Sequence, residues 1–144
     1  MGARPRSVAF SADGSRAFVP AENDFTLAVI DTTTLSVEKV IPLGEAMRAM
    51  GVVLSPDGRQ IYVSTGRSRM VVILDTKSLE VIGSIDAGLR PWGLDVHPSG
   101  DRIYTANGPS NDVSVIDVAT QAVVATIPSG GSPWGVTVVE TAGQ

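Results

Sequence analysis

This sequence predicts an all-β fold built from a repeated four-stranded unit, and three observations predict it. The chain returns to itself at steps of 44 and 42 residues: Asp13-Gly14 recurs as Asp57-Gly58 and Ser99-Gly100, Asp31 as Asp75 and Asp117, and Arg4 as Arg48 and Arg90. Within each unit, β-branched and polar residues alternate, as Val113 and Val115 do with Ser114, at the period of two that makes a strand. No segment carries a helical apolar stripe. Four antiparallel strands in a unit of about 40 to 45 residues is the pattern of a β-propeller blade, a small twisted sheet that stacks on its neighbours around a central axis. A β-sandwich would also supply antiparallel strands, but it leaves the close repetition unexplained.

The units run over residues 4–45, 46–89 and 90–131, and residues 132–144 hold the first strand of a further blade and a C-terminal tail. In the third unit the four strands are expected at residues 93–97, 102–106, 112–117 and 121–128. Their first connection holds the Asp-Gly pairs, where a tight hairpin needs the positive φ that glycine adopts cheaply, so Gly58 is expected there. Their last connection reads DTTTL, DTKSL and DVATQ, and an aspartate at a strand's end accepts hydrogen bonds from the turn that follows. Asp31, Asp75 and Asp117 are therefore turn caps rather than metal ligands or catalytic acids. The fourth unit opens at Pro133-Trp134-Gly135, repeating Pro91-Trp92-Gly93, and contributes one strand at residues 135–139. Closed propellers need about four to eight blades, so this is a partial propeller. Its missing strands are expected from the rest of a longer chain, of which this would be the C-terminal part, or from a second copy in a homo-oligomer.

Composition excludes several classes of function. A net charge of −4 and a pI near 4.8 argue against nucleic acid as a partner. With no cysteine there are no disulfides and no zinc-thiolate sites. No apolar run approaches the ~18 residues of a membrane helix, so the chain is not expected to span a membrane. Met1-Gly2-Ala3-Arg4 runs straight into the first repeat, so any export signal would lie upstream.

The stretches SPDGRQIYVST, TANGPSNDVSVIDVAT and IPSGGSPWGV resemble the YVTN-type β-propeller repeat, and the resemblance runs from Arg4 to about Val139. The name-giving tetrapeptide appears here as Phe18-Val19-Pro20-Ala21, Tyr62-Val63-Ser64-Thr65 and Tyr104-Thr105-Ala106-Asn107, and Ala49 stands where other copies have proline. The repeats are similar to those of bacterial propeller proteins that accompany pyrroloquinoline-quinone-dependent alcohol oxidation, and to surface-layer-type repeat proteins. That likeness implies a periplasmic or extracellular location.

In such a blade the first strand lines the central channel, and the loops entering it share one face with those joining strands two and three. Arg4, Arg48 and Arg90 would then form an arc at the channel mouth, with Trp92 and Trp134 beside the later positions. The arc suits either an anion held by guanidinium forks and stacked on indole or, as the preferred reading, arginines that tie adjacent blades. The loops AEND, GRSR and GPSN differ between copies and offer Glu22, Asn23, Asp24, Arg67, Arg69, Asn107 and Asn111 to a ligand or partner. His97 replaces Ser11 and Ser55 before the hairpin turn and is read as a surface turn residue. No nucleophile elbow, phosphate loop or acid pair is present, and no cofactor or metal site is evident. The expected function is a non-catalytic module binding a protein partner or small ligand in the cell envelope, with part of a quinone- or haem-dependent oxidoreductase and a structural surface-layer repeat as alternatives.

Overall fold

A computed structural model describes residues 2–140. Three four-stranded antiparallel sheets follow one another in the chain, each with its strands in sequence order. The first comprises β1 (Ala9–Phe10), β2 (Arg16–Ala21), β3 (Thr26–Asp31) and β4 (Ser36–Pro42). The second holds β5 (Ala49–Leu54), β6 (Gln60–Thr65), β7 (Met70–Asp75) and β8 (Val81–Asp86), and the third β9 (Pro91–Val96), β10 (Arg102–Asn107), β11 (Asp112–Asp117) and β12 (Ala122–Pro128). The blades are copies down to their irregularities. The register between third and fourth strands slips after Val29, after Ile73 and after Val115, the same repeat position each time.

Period two decides which blade each side chain meets. Ile61, Val63, Val72 and Leu74 of the middle blade pack with Phe18, Leu27 and Val29 of the first. Their neighbours Tyr62, Val71 and Ile73 point the other way and pack with Leu94, Ile103 and Ile116 of the third. Covered on both faces, β7 reads as the unbroken buried run Val71-Val72-Ile73-Leu74. The third blade is covered on one face only. Tyr104, Val113 and Val115, which repeat Tyr62, Val71 and Ile73, are only half-buried.

Turn chemistry matches the sequence expectations. Gly14, Gly58 and Gly100 have φ of 71°, 71° and 77°. In the hairpin before β6, the Gly58 amide donates to the Ser55 carbonyl at 2.8 Å, and the Ser55 hydroxyl donates to Asp57 at 2.6 Å. A side chain at Gly58 would meet open space, so a substitution there acts through the backbone alone. Gly58→Val is expected to destabilise by about 1 kcal/mol or more, and urea unfolding checks it: a midpoint equal to wild type would show that the loop readily takes another conformation. Asp31 and Asp75 each accept two backbone amides of the following turn, and Asp117 accepts the amide and hydroxyl of Thr120. These hydrogen bonds favour the carboxylate and hold all three below the ordinary aspartate pKa. Asp13, bonded by the side chains of Ser11 and Ser15 and by the Ser15 amide, is lowered to about 2.

Residues 135–139, the expected first strand of a further blade, form no ladder. They nevertheless occupy a strand's place. A methyl group on Gly51 would lie 3.0 Å from the Trp92 carbonyl oxygen of the next blade, and one on Gly93 would lie 2.8 Å from the Trp134 carbonyl oxygen. The same step thus leads from β9 to this segment, which is further held by the Val138 amide donating to Asp95 at 2.8 Å. A ladder needs a second strand beside it, and none of the described strands lies there.

Candidate functional site

One hydrogen bond, made three times, gathers the loops onto one face. The amides of Leu43, Ala87 and Ser129, each just beyond a blade's last strand, donate to the carbonyls of Phe25, Arg69 and Asn111 at 2.9, 2.7 and 2.9 Å. Those three acceptors close the loops between second and third strands, and each has a left-handed φ, of 56°, 61° and 58°. The entry to the next blade is thereby pinned to the loop of the preceding one. The hairpin turns with the Asp-Gly pairs lie at the other end of the strands.

On this face Arg4, Arg6, Arg48, Arg67 and Arg90 surround a recess whose other walls include Glu22, Gly66 and both tryptophans. Five guanidiniums against one carboxylate give a local charge of +4 on a chain whose net charge is −4. Glu22 is buried, with Arg4 and Arg6 Nε at 3.3 and 3.5 Å from its Oε2 and Arg48 Nη1 at 3.6 Å from its Oε1. All three are ion pairs, yet Oε2 accepts no hydrogen bond. Arg48 also donates to Asn23 Oδ1 at 3.5 Å, so it ties the second blade to the first. Arg90 does not repeat that contact: among the described residues it has no carboxylate within 4 Å. The reason is in the repeat, because Gly66 holds the position of Glu22 one blade later.

Trp92 and Trp134 face each other with ring centroids 4.4 Å apart and planes tilted by 31°. Trp92 lies over Gly108, where any Cβ would overlap its ring. Trp134 is 65% exposed. The remaining loop residues have separate fates. Asp24 accepts the Ala3 amide at 2.6 Å, and Asn111 Oδ1 accepts the Ser132 amide at 2.7 Å, so both hold chain rather than face the recess. Arg69 is exposed on a shallow surface beside Arg67 and Leu89. Asn107 is wholly buried inside the third blade. Sequence reasoning missed Arg6, which shares a repeat position with Met50, Trp92 and Trp134 and was findable from that register. His97 lies at the far end, its Nδ1 bonded with the Ser99 hydroxyl at 2.6 Å. Among the described residues no three acidic or histidine side chains are grouped to hold a metal ion, and no helix is long and apolar enough to cross a membrane.

Residues 35–144 match the YNCE-like beta-propeller family. The chain belongs to that family. No curated protein matches it closely enough to show kinship. Among solved structures it is similar to hydrazine synthase of Kuenenia stuttgartiensis, at 24% identity and a TM-score of 0.85 over 92% of this chain and 38% of that one. It is also similar to a candidate 6-phosphogluconolactonase from Bacteroides fragilis, at 22% identity and a TM-score of 0.84 over 96% of this chain and 43% of the other. The WD40 repeats of RRP9 align at 19% identity and a TM-score of 0.80, over 92% and 41% of the two chains. The YNCE-like chain thus spans less than half the length of each. Proteins so differently described share a fold, and the likeness carries nothing further.

Proposed function

We propose that this YNCE-like chain is a non-catalytic propeller module that binds a protein partner or small ligand on its loop face, in the bacterial cell envelope and in association with quinoprotein alcohol oxidation. The observation that carries the binding reading is the recess: the variable loops of the first two blades line it with Glu22, Gly66 and Arg67, and an acidic chain concentrates five guanidiniums around it. Such a local field raises the encounter rate of oppositely charged ligands. The envelope and the quinoprotein association rest on the likeness of the repeats to propellers of that setting.

The test compares the two ends of the propeller. In a thermal-shift screen of small molecules and peptides, ligands that stabilise the protein should lose their effect on Arg67→Ala at the loop face and keep it on Arg59→Ala at the opposite turns. Equal losses at both ends would overturn the loop-face reading. The purified protein should carry no absorption band of a bound haem or quinone. A stoichiometric band would instead make it part of an oxidoreductase.

A further inference from the structure

The repeat holds its own control for what the recess accepts. Between the first and second blades the fold supplies an anion: Glu22 reaches the entering arginine of the next blade, Arg48, at 3.6 Å. Between the second and third blades the corresponding arginine is Arg90 and the corresponding acid is missing, because Gly66 stands in the place of Glu22. Arg67, the next residue, adds a second guanidinium on the same recess. Among the described residues neither Arg90 nor Arg67 has a carboxylate within 4 Å. Two cations therefore share an open seat that, one blade earlier, a carboxylate fills.

We infer that an oxyanion from solution, a carboxylate or phosphate group on a small ligand, takes the seat at Gly66, held by Arg90 and Arg67 beside the Trp92–Trp134 pair. The inference rests on the loop-face reading and specifies its ligand. A guanidinium presents paired N–H donors that match the two oxygens of a carboxylate or phosphate. The recess, of about 220 Å³, is smaller than the roughly 300 to 1,000 Å³ of drug-sized pockets, which suits a compact polyanion. The tilted indoles offer its carbon skeleton an apolar wall.

Gly66 also makes the test direct. Its φ is not left-handed, so a residue with a side chain fits the backbone. A Cβ there would meet the Met50 Cγ at 3.3 Å, a flexible neighbour that can give way. Gly66→Glu thus writes the first blade's internal anion into the second. Both tryptophans of the chain stand at the recess, so their fluorescence reports occupancy.

In titrations of the 144-residue chain at constant ionic strength, sodium citrate, sodium phosphate or both should change the fluorescence saturably while sodium chloride does not. Which of the two acts separates a carboxylate from a phosphate ligand. Gly66→Glu, Arg90→Ala and Arg67→Ala should each weaken the response about tenfold or more, the loss of one charge-assisted contact. Arg59→Ala, the same charge change at the far end, should leave it intact. No saturable response to either oxyanion, or wild-type affinity in a folded Gly66→Glu protein, would overturn the inference. If Gly66→Glu does not fold, unchanged affinity in the two arginine variants overturns it equally. A chain that ignores both oxyanions yet loses other ligands on Arg67→Ala keeps the loop-face reading and refutes this one alone.

Discussion

Replacing Asn107 with alanine is expected to destabilise the protein by about 2–4 kcal/mol, from lost hydrogen bonds and from the partners stranded behind them. The side chain lies at the end of β10 with no exposure at all. Its Nδ2 donates to Asp112 Oδ1 at 2.7 Å and to the Ser114 hydroxyl at 2.8 Å, while its Oδ1 accepts from the Thr105 hydroxyl at 3.1 Å. Thr105 and Ser114 are themselves buried. Alanine would leave both hydroxyls without this partner and away from water, and such groups are costly. Gly88→Ala should act in the same direction, because a Cβ at Gly88 would overlap the Asn107 amide. Urea unfolding measures both. A loss below about 0.5 kcal/mol for Asn107→Ala, the level of an ordinary surface change, would mean that the side chain faces solvent, as the loop reading of GPSN expects.

That residue shows where sequence reasoning was strong and where it stopped. Strands, hairpins and caps are local: alternation, Asp-Gly pairs and strand-end aspartates each predict their own geometry, and the blades follow by repetition. The repeat register also contained the answer for Asn107, since it aligns with Thr65 and Ala21, and all three are wholly buried. Proximity in the sequence to a variable loop was the misleading signal. The recess was legible in part. Arg4, Arg48 and Arg90 were visible as an arc, because each recurs at the head of a unit. The meeting of three arginines on Glu22 was not, because Arg6 has no arginine counterpart in later blades and the contact with Arg48 crosses between blades. The segment at residues 135–139 has the pattern of β9, yet a pattern gives a strand only where a partner completes the ladder.

At micromolar concentration this chain is expected to self-associate or aggregate rather than persist as a stable monomer. The middle blade shows what full coverage looks like: Tyr62, Val71 and Ile73 are 1%, 0% and 2% exposed against the third blade. Among the described residues no further blade covers their counterparts Tyr104, Val113 and Val115, which are only half-buried, while Trp134 and Val139 in the segment after β12 are 65% and 73% exposed. At the other end Val8 and Phe10 are 52% and 58% exposed. Apolar surface and strand edges of this kind invite other chains. The place prepared beside β9 already holds the segment that would begin the next blade, so what is missing is specific: strands that pair with it and a sheet that covers the third blade. Further blades of a longer chain or a second copy of this one would meet both needs, and two copies would assemble six four-stranded blades and two spare segments. Light scattering on the isolated 15.0 kDa chain decides the matter: a mass at a multiple of the monomer, or aggregation, is the expected result. A soluble monomer that unfolds in one cooperative transition would show that three blades bury enough to stand alone, and that the faces left open here need no cover.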